Sequence, residues 1–266
     1  MHCQPMEPVV AGVDGTLASV RAVDLAAEEA TARVTPLVVV YTVEPRTDPA
    51  LLPGHRRLLD LVVSRAQAEH PALSVASDLV YGEPVETLVR WSARACLVVV
   101  GHRDGRLGRR SVAAETAARS LAPAIVYRPL AVPQPGADRP VLIGVTGRPG
   151  EQPLLAFAFE EAELRGCALV ASYVAPGSGS VAPANLLAEA LGPWPAKYPD
   201  VEVRPQVRPG TDVADALCAA STLAWLTVVG ADGRRGSRGH GLGPVSRALI
   251  ERAGCPVAVV PDTPLR

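Results

Sequence analysis

The sequence predicts an α/β protein of two similar domains in tandem, each a five-stranded parallel sheet wound with helices on both faces. Three observations predict it. The first is duplication: Pro8-Val9-Val10-Ala11-Gly12-Val13-Asp14 returns 132 positions later as Pro140-Val141-Leu142-Ile143-Gly144-Val145-Thr146. Leu97-Val98-Val99-Val100-Gly101 returns as Leu226-Thr227-Val228-Val229-Gly230, and Ala122-Pro123-Ala124-Ile125-Val126 as Gly254-Cys255-Pro256-Val257-Ala258. The second is alternation of short Val-rich runs with longer amphipathic ones. The third is a Pro-rich linker, Pro129-Leu130-Ala131-Val132-Pro133-Gln134-Pro135-Gly136, of limited flexibility. A chain of 266 residues accommodates two domains of ordinary size, here 1–130 and 139–266.

In the first domain the runs 9–13, 37–43, 73–80, 97–100 and 124–127 are continuous and β-branched, as strands buried on both faces must be. The stretch 18–33 places Val20, Val23, Ala27 and Ala30 against Asp24, Glu28 and Glu29, an amphipathic helix. A second helix is expected over 84–95, with Pro84 suited to its first turn. The second domain repeats the plan with strands over 141–145, 169–174, 201–207, 226–229 and 257–260. Its helices are expected over 151–165, 183–191, 212–221 and 244–253. Right-handed crossovers give each domain the strand order 3-2-1-4-5.

Composition narrows the function. With 48% apolar residues and a net charge of −1, the chain is globular and lacks the basic excess that a nucleic-acid partner requires. Lys197 is the one lysine, in a Pro-rich stretch, so neither a P-loop lysine nor a Schiff-base lysine is on offer. Five cysteines, scattered and without C-x-x-C spacing, read as small buried residues in a reducing compartment, with no disulfide frame and no metal site. No apolar run reaches the ~18 residues of a membrane span. Met1-His2-Cys3-Gln4-Pro5 lacks the pattern of a secretory leader, and the expected compartment is the cytoplasm.

The two copies differ most after the fourth strand. Domain two there reads Gly230-Ala231-Asp232-Gly233-Arg234-Arg235-Gly236-Ser237-Arg238-Gly239-His240-Gly241-Leu242-Gly243-Pro244-Val245-Ser246. Glycines at this density, ending at a helix start, suit a backbone that curls and turns its N–H groups toward an anion. In an open parallel sheet ligands bind beyond the carboxyl ends of the strands where their order reverses, which here lies between the first and fourth strands. Arg234, Arg235 and Arg238 add positive potential.

The spacing Gly230-x2-Gly233-x9-Gly243, followed by Val245-Ser246 and Cys255-Pro256-Val257, resembles the universal stress protein family in its tandem-domain form, along both halves of the chain. The resemblance implies a flavodoxin-like fold of the adenine nucleotide α-hydrolase type. It also implies an ATP site in which the glycine loop cradles ribose and phosphates, with magnesium accompanying the nucleotide. An acid at the end of strand one and backbone groups near the end of strand two take the remaining contacts. Carried onto this chain, the implied positions in domain two are Thr146, Gly147, Val174, Gly230, Gly233, Arg234, Gly243, Val245 and Ser246. In domain one they are Asp14, Val43, Gly101 and Ser111.

Each half departs from the pattern. Domain two has the glycines, but Pro244 stands where the family has Ser or Thr, and Thr146 replaces the strand-one acid. Domain one keeps Asp14 and Ser111, yet its loop is four residues shorter and puts Asp104 and Arg110 at glycine positions. Arg109 and Arg110 could offset this in part as phosphate clamps. Losing a hydrogen bond to a charged group and a neutral one weakens a domain-two site about 10- to 1,000-fold relative to an intact one. Domain one lacks the cradle itself, so domain two is the favoured site.

Other residues read as structural. Asp14 competes with Thr16 and Ser19 to cap the first helix. His102 and His240 read as solvated, His55 and His70 as surface, and Glu160, Glu161 and Glu163 as a solvated helix face. Trp91 and Trp225 read as core, and Trp194 lies in the Pro-rich stretch. Neither Ser111 nor Ser246 sits in a nucleophile elbow or has an identifiable base, so no catalytic group is expected and an ATPase is disfavoured. The expected function is adenine-nucleotide binding in a stress response. The rival is a scaffold that acts through a protein partner or a second copy of the chain.

Overall fold

The computed structural model describes residues 7–103, 111–129, 139–148, 150–175, 182–210, 212–231 and 241–262. The chain divides into two compact units, parting between Pro129 and Leu130.

The first unit runs β1 (Val9–Val13), α1 (Leu17–Ala32), β2 (Leu37–Val43), α2 (Leu52–Glu69), β3 (Val75–Tyr81), α3 (Pro84–Ser92), β4 (Leu97–Gly101), α4 (Val112–Arg119) and β5 (Ala124–Tyr127). All its strands are parallel, in the order β3-β2-β1-β4-β5. Val10 lies between Val38 and Val98 at the centre of the sheet. Val9, Val10, Ala11 and Leu97 to Val99 have no exposed surface, which is why those strands read as unbroken apolar runs. Helices α1 and α2 pack together, as do α3 and α4.

The second unit runs β6 (Val141–Gly144), α5 (Gln152–Arg165), β7 (Leu169–Ala175), α6 (Ala182–Leu191), α7 (Trp194–Lys197), β8 (Val203–Pro209), α8 (Val213–Ser221), β9 (Leu226–Gly230), α9 (Pro244–Arg252) and β10 (Val257–Val260). Its order is the same, β8-β7-β6-β9-β10, and all pairs are parallel. A glycine in each central strand admits the helix above it. A Cβ on Gly12 would come within 3.1 Å of Leu88 in α3, and one on Gly144 within 2.9 Å of Leu217 in α8.

The third strands begin later than the apolar pattern suggests. The Leu73 amide donates to the His70 carbonyl and the Val201 amide to the Tyr198 carbonyl. Both residues therefore close turns, and pairing begins only beyond them. The Pro-rich stretch before β8 folds as α7, and Trp194 and Tyr198 stack with Phe159 of α5 at ring-centroid distances of 5.5 and 5.4 Å.

Three expectations are corrected by the packing. Glu160 and Glu161 are buried, not solvated, because α5 is covered on nearly all sides. Glu161 pairs with Arg165, whose guanidinium lies 3.9 Å from the centre of the Trp225 ring. Glu29 and Arg33 form the same pair 132 positions earlier, with Glu29 equally buried. His55 is half-buried and stacks on Tyr41, with centroids 4.9 Å apart, whereas His70 keeps a surface position, contacting the Thr31 hydroxyl at 3.1 Å. His102 is also buried, at 7% exposure, its amide donating to the Tyr127 carbonyl.

Candidate functional site

At the carboxyl edge of the first sheet, Asp14 follows β1 and is held on both sides. One carboxylate oxygen accepts from the Thr16 amide (3.0 Å) and hydroxyl (2.6 Å), while the other meets Arg103 at 2.7 Å. Burial raises the Asp14 carboxyl, but the bonds from Thr16 and Ser19 and the charge of Arg103 outweigh it and leave the value lowered. Thr16, not Asp14, caps α1, by accepting from the Ser19 amide. The strand-end acid is thus joined to a guanidinium arriving from the end of β4.

Gly101 closes this edge further. A Cβ there would lie 2.5 Å from the Ala18 carbonyl carbon and 2.6 Å from the Ser19 nitrogen, so the first turn of α1 rests on the glycine. Ser111 caps α4 by accepting from the Ala114 amide at 3.3 Å, and its hydroxyl lies 3.4 Å from the His102 Nδ1. A histidine therefore does stand beside Ser111, at the limit of hydrogen-bond length. Asp104, Arg109 and Arg110 lie outside the described residues.

Domain two builds the same edge differently. Thr146 and Gly147 follow β6, and Gly147 adopts φ +69°, which turns the two successive amides the same way. Both donate to Glu151, the Thr146 amide at 2.8 Å and the Gly147 amide at 3.1 Å, and the Thr146 hydroxyl donates as well. Glu151 sits at the N-cap position of α5 yet makes no side-chain cap bond to that helix. The acid missing from the strand is returned by the helix that follows it. Nothing in the residue types marked Glu151 in advance; the available signal was an acid at a helix start, five residues after Thr146, where the strand end lacks an acid of its own.

On the neighbouring strand, Ile143 pairs opposite Val228, which sets the end of β6 beside the chain leaving Gly230. Among the described residues, a Cβ added to Gly230 would find only Asp262 Oδ1 within 4 Å, at 3.7 Å. The Gly230 carbonyl accepts from the buried Ser246 hydroxyl at 2.6 Å, and the Gly243 amide donates to the Ala231 carbonyl at 2.9 Å. The two ends of the glycine loop are therefore tied together. The helix α9 begins at Pro244 with no side-chain cap, and Val245 in its first turn is half-buried. Gly233, Arg234 and His240 lie outside the described residues.

The ends of the second strands carry the last pair. The Val43 carbonyl accepts from the Gly82 amide at 3.0 Å, and the Ala175 carbonyl accepts from the Gly210 amide at 3.0 Å. The structural counterpart of Val43 is therefore Ala175, one residue beyond Val174, which pairs opposite Arg208. A carbonyl has two lone pairs, so each keeps one acceptor.

Between the start of α5 and the second half of α6 lies a cleft of about 180 Å³. Leu155, Leu186 and Ala190 give it apolar walls, and Glu151, Arg148 and Glu189 stand at its rim. Among the described residues, no group of three or more His, Cys, Asp or Glu side chains could hold a metal ion, and no helix is long and apolar enough to cross a membrane.

The model of the universal stress protein family matches the chain twice, over residues 6–128 and 139–261. A universal stress protein of Mycobacterium tuberculosis (strain ATCC 25618 / H37Rv) is 35% identical, the alignment covering 94% of this chain and 96% of that protein. One from Mycolicibacterium smegmatis is 30% identical, covering 95% and 96%. Among solved structures, a universal stress protein from Archaeoglobus fulgidus DSM 4304 superposes with a TM-score of 0.76 at 18% identity, covering 96% of each chain, a likeness of fold.

Proposed function

The chain belongs to the universal stress protein family, and from that premise we propose that it binds an adenine nucleotide in its second domain, as a cytoplasmic binding protein and not as a catalyst. The observation that carries this reading is the contrast between Gly230 and Gly101. The first turn of α1 occupies the space over Gly101, whereas among the described residues nothing comes closer than 3.7 Å to a Cβ on Gly230, which suits a ligand approaching the backbone there. Gly230, Gly233, Arg234, Gly243, Val245 and Ser246 form the phosphate side of the site, and Thr146, Gly147 and the end of β7 near Val174 form the nucleoside side. The ligand is ATP, and magnesium, where it accompanies the nucleotide, is held mainly through the phosphates. Binding shifts the second domain toward one of its states, which a partner then reads.

For domain one a second reading is favoured, a unit that acts through protein contacts. The Asp14–Arg103 pair and the closed space over Gly101 favour it, since both withdraw groups that a nucleotide would need.

Calorimetric titration with ATP tests the domain-two reading. The wild-type chain is expected to bind, and Gly230→Val, which adds bulk at that backbone, and Gly233→Asp, which adds a repelling charge, are expected to bind less well. Equal affinity in both variants, or no binding by the wild type, would overturn it.

A further inference from the structure

Resting on the nucleotide reading of domain two, we infer that Glu151 is the ligand-facing carboxylate of that site. It accepts a hydrogen bond from the nucleoside end of the nucleotide, while the phosphates lie toward Gly230 and Gly243. Four observations lead there.

The first is how the carboxylate is held. Three donors grip it, two backbone amides and one hydroxyl, and all are neutral. An ionised carboxylate offers about four acceptor positions, so one remains for a further donor. Asp14, at the matching edge of domain one, instead faces the guanidinium of Arg103, which compensates its charge. Among the described residues, the domain-two carboxylate is oriented with no cation in an ion pair with it.

The second is what Glu151 does not do. An acid at an N-cap ordinarily accepts from amides of its own first turn. Glu151 makes no such bond and reaches back to the strand end, leaving α5 to begin with Pro153 in its first turn. Glu151 is also one of the residues that line the cleft.

The third is size. At about 180 Å³ the cleft is smaller than the roughly 300–1,000 Å³ that encloses a whole drug-sized ligand, so it admits one part of a nucleotide. The fourth is charge. The rim carries Glu151 and Glu189 against Arg148, a balance that repels a triphosphate and tolerates a neutral sugar or base. Leu155, Leu186 and Ala190 offer such a group apolar walls. The acceptor therefore serves ribose hydroxyls or an exocyclic amine.

The test is calorimetric titration of the full chain with ATP, adenosine and inorganic tripolyphosphate. It compares wild type, Glu151→Gln, Glu151→Ala and the double variant Glu151→Ala/Thr146→Asp. Glu151→Ala is expected to weaken ATP and adenosine alike by about 10- to 100-fold and to leave tripolyphosphate unchanged. Glu151→Gln, which keeps the shape and removes the charge, is expected to move affinity in the same direction and carries the test if the alanine variant folds poorly. The double variant, which puts an acid back on the strand, is expected to recover most of the loss; a purely structural role for Glu151 would not produce that rescue. If the wild type binds ATP and both single variants bind it equally well, or if tripolyphosphate weakens as much as ATP, this inference fails alone. If the wild type binds neither ATP nor adenosine, the nucleotide reading fails and takes this inference with it.

Discussion

Val34 and Gly166, 132 positions apart, hold the same left-handed backbone conformation, with φ of +53° and +57°. Each follows the first helix of its domain and makes the same paired closure. Val34 and Thr35 donate to the carbonyls of Thr31 and Ala30, and Gly166 and Cys167 to those of Glu163 and Ala162. Glycine adopts this conformation freely, whereas a β-branched residue is strained in it. At 89% exposure the Val34 side chain has little packing to lose. Val34→Gly is therefore expected to stabilise domain one by about 1 kcal/mol, strain relief of about 1–2 kcal/mol less the backbone entropy of glycine. Thermal unfolding checks this, and a melting temperature that stays level or falls would contradict it.

Gly101 and Gly230 occupy matching positions yet should respond differently to a methyl group. Gly101→Ala drives a Cβ into the backbone of α1, and a loss of about 2–4 kcal/mol is expected in domain one. Among the described residues Gly230→Ala meets no atom closer than 3.7 Å, and it is expected to change stability by under about 1 kcal/mol. Chemical denaturation of both variants checks the contrast, and equal losses would refute it.

The Asp14 carboxyl is lowered in the folded chain, so its contribution to stability is complete above the unfolded value of about 4 and fades as pH falls through the folded one. Because Asp14 and Arg103 are more than half exposed, solvent screening limits the contribution to roughly 0.2–1 kcal/mol. Asp14→Asn is expected to be slightly less stable than wild type at pH 7, less so in high salt, and indistinguishable once pH drops below the folded value. A difference that grows toward acid would be inconsistent with this assignment.

Burial pushes the Cys255 thiol up to about 12, although the Thr227 hydroxyl, 3.1 Å away, pulls the other way. The folded chain then keeps this thiol protonated while the unfolded chain ionises it above about 8.5. Stability from this group is complete below that value and is lost as pH rises toward 12. Alkylation at pH 8.5 followed by mass spectrometry is expected to leave Cys255 unmodified in the folded protein and to label it in denaturant. Labelling without unfolding would show the burial to be incomplete.

The strands were legible because parallel strands covered on both faces need apolar side chains throughout, which is how 37–43 and 97–100 read. The edge strands were less so. Leu73 and Val201 continue the apolar run but close turns, and their amides bond locally before pairing begins. Glu29 and Glu161 could not be distinguished from solvated helix acids, since an i,i+4 pair with Arg33 or Arg165 looks the same in sequence whether buried or exposed. Only the crowding around α1 and α5 decides it. The glycine pattern after β9 was visible by spacing. The part taken by Glu151 was not, because it depends on a side chain turning away from its own helix to meet a strand end.

The bonds from Ser246 to Gly230 and from Gly243 to Ala231 fasten both feet of the glycine segment to the sheet. Ring closure is thereby already met by the scaffold, and further residues between the feet cost little, about 0.6 kcal/mol for each doubling in span. The duplicated copies could diverge in the length and charge of this one segment while their frameworks stayed the same.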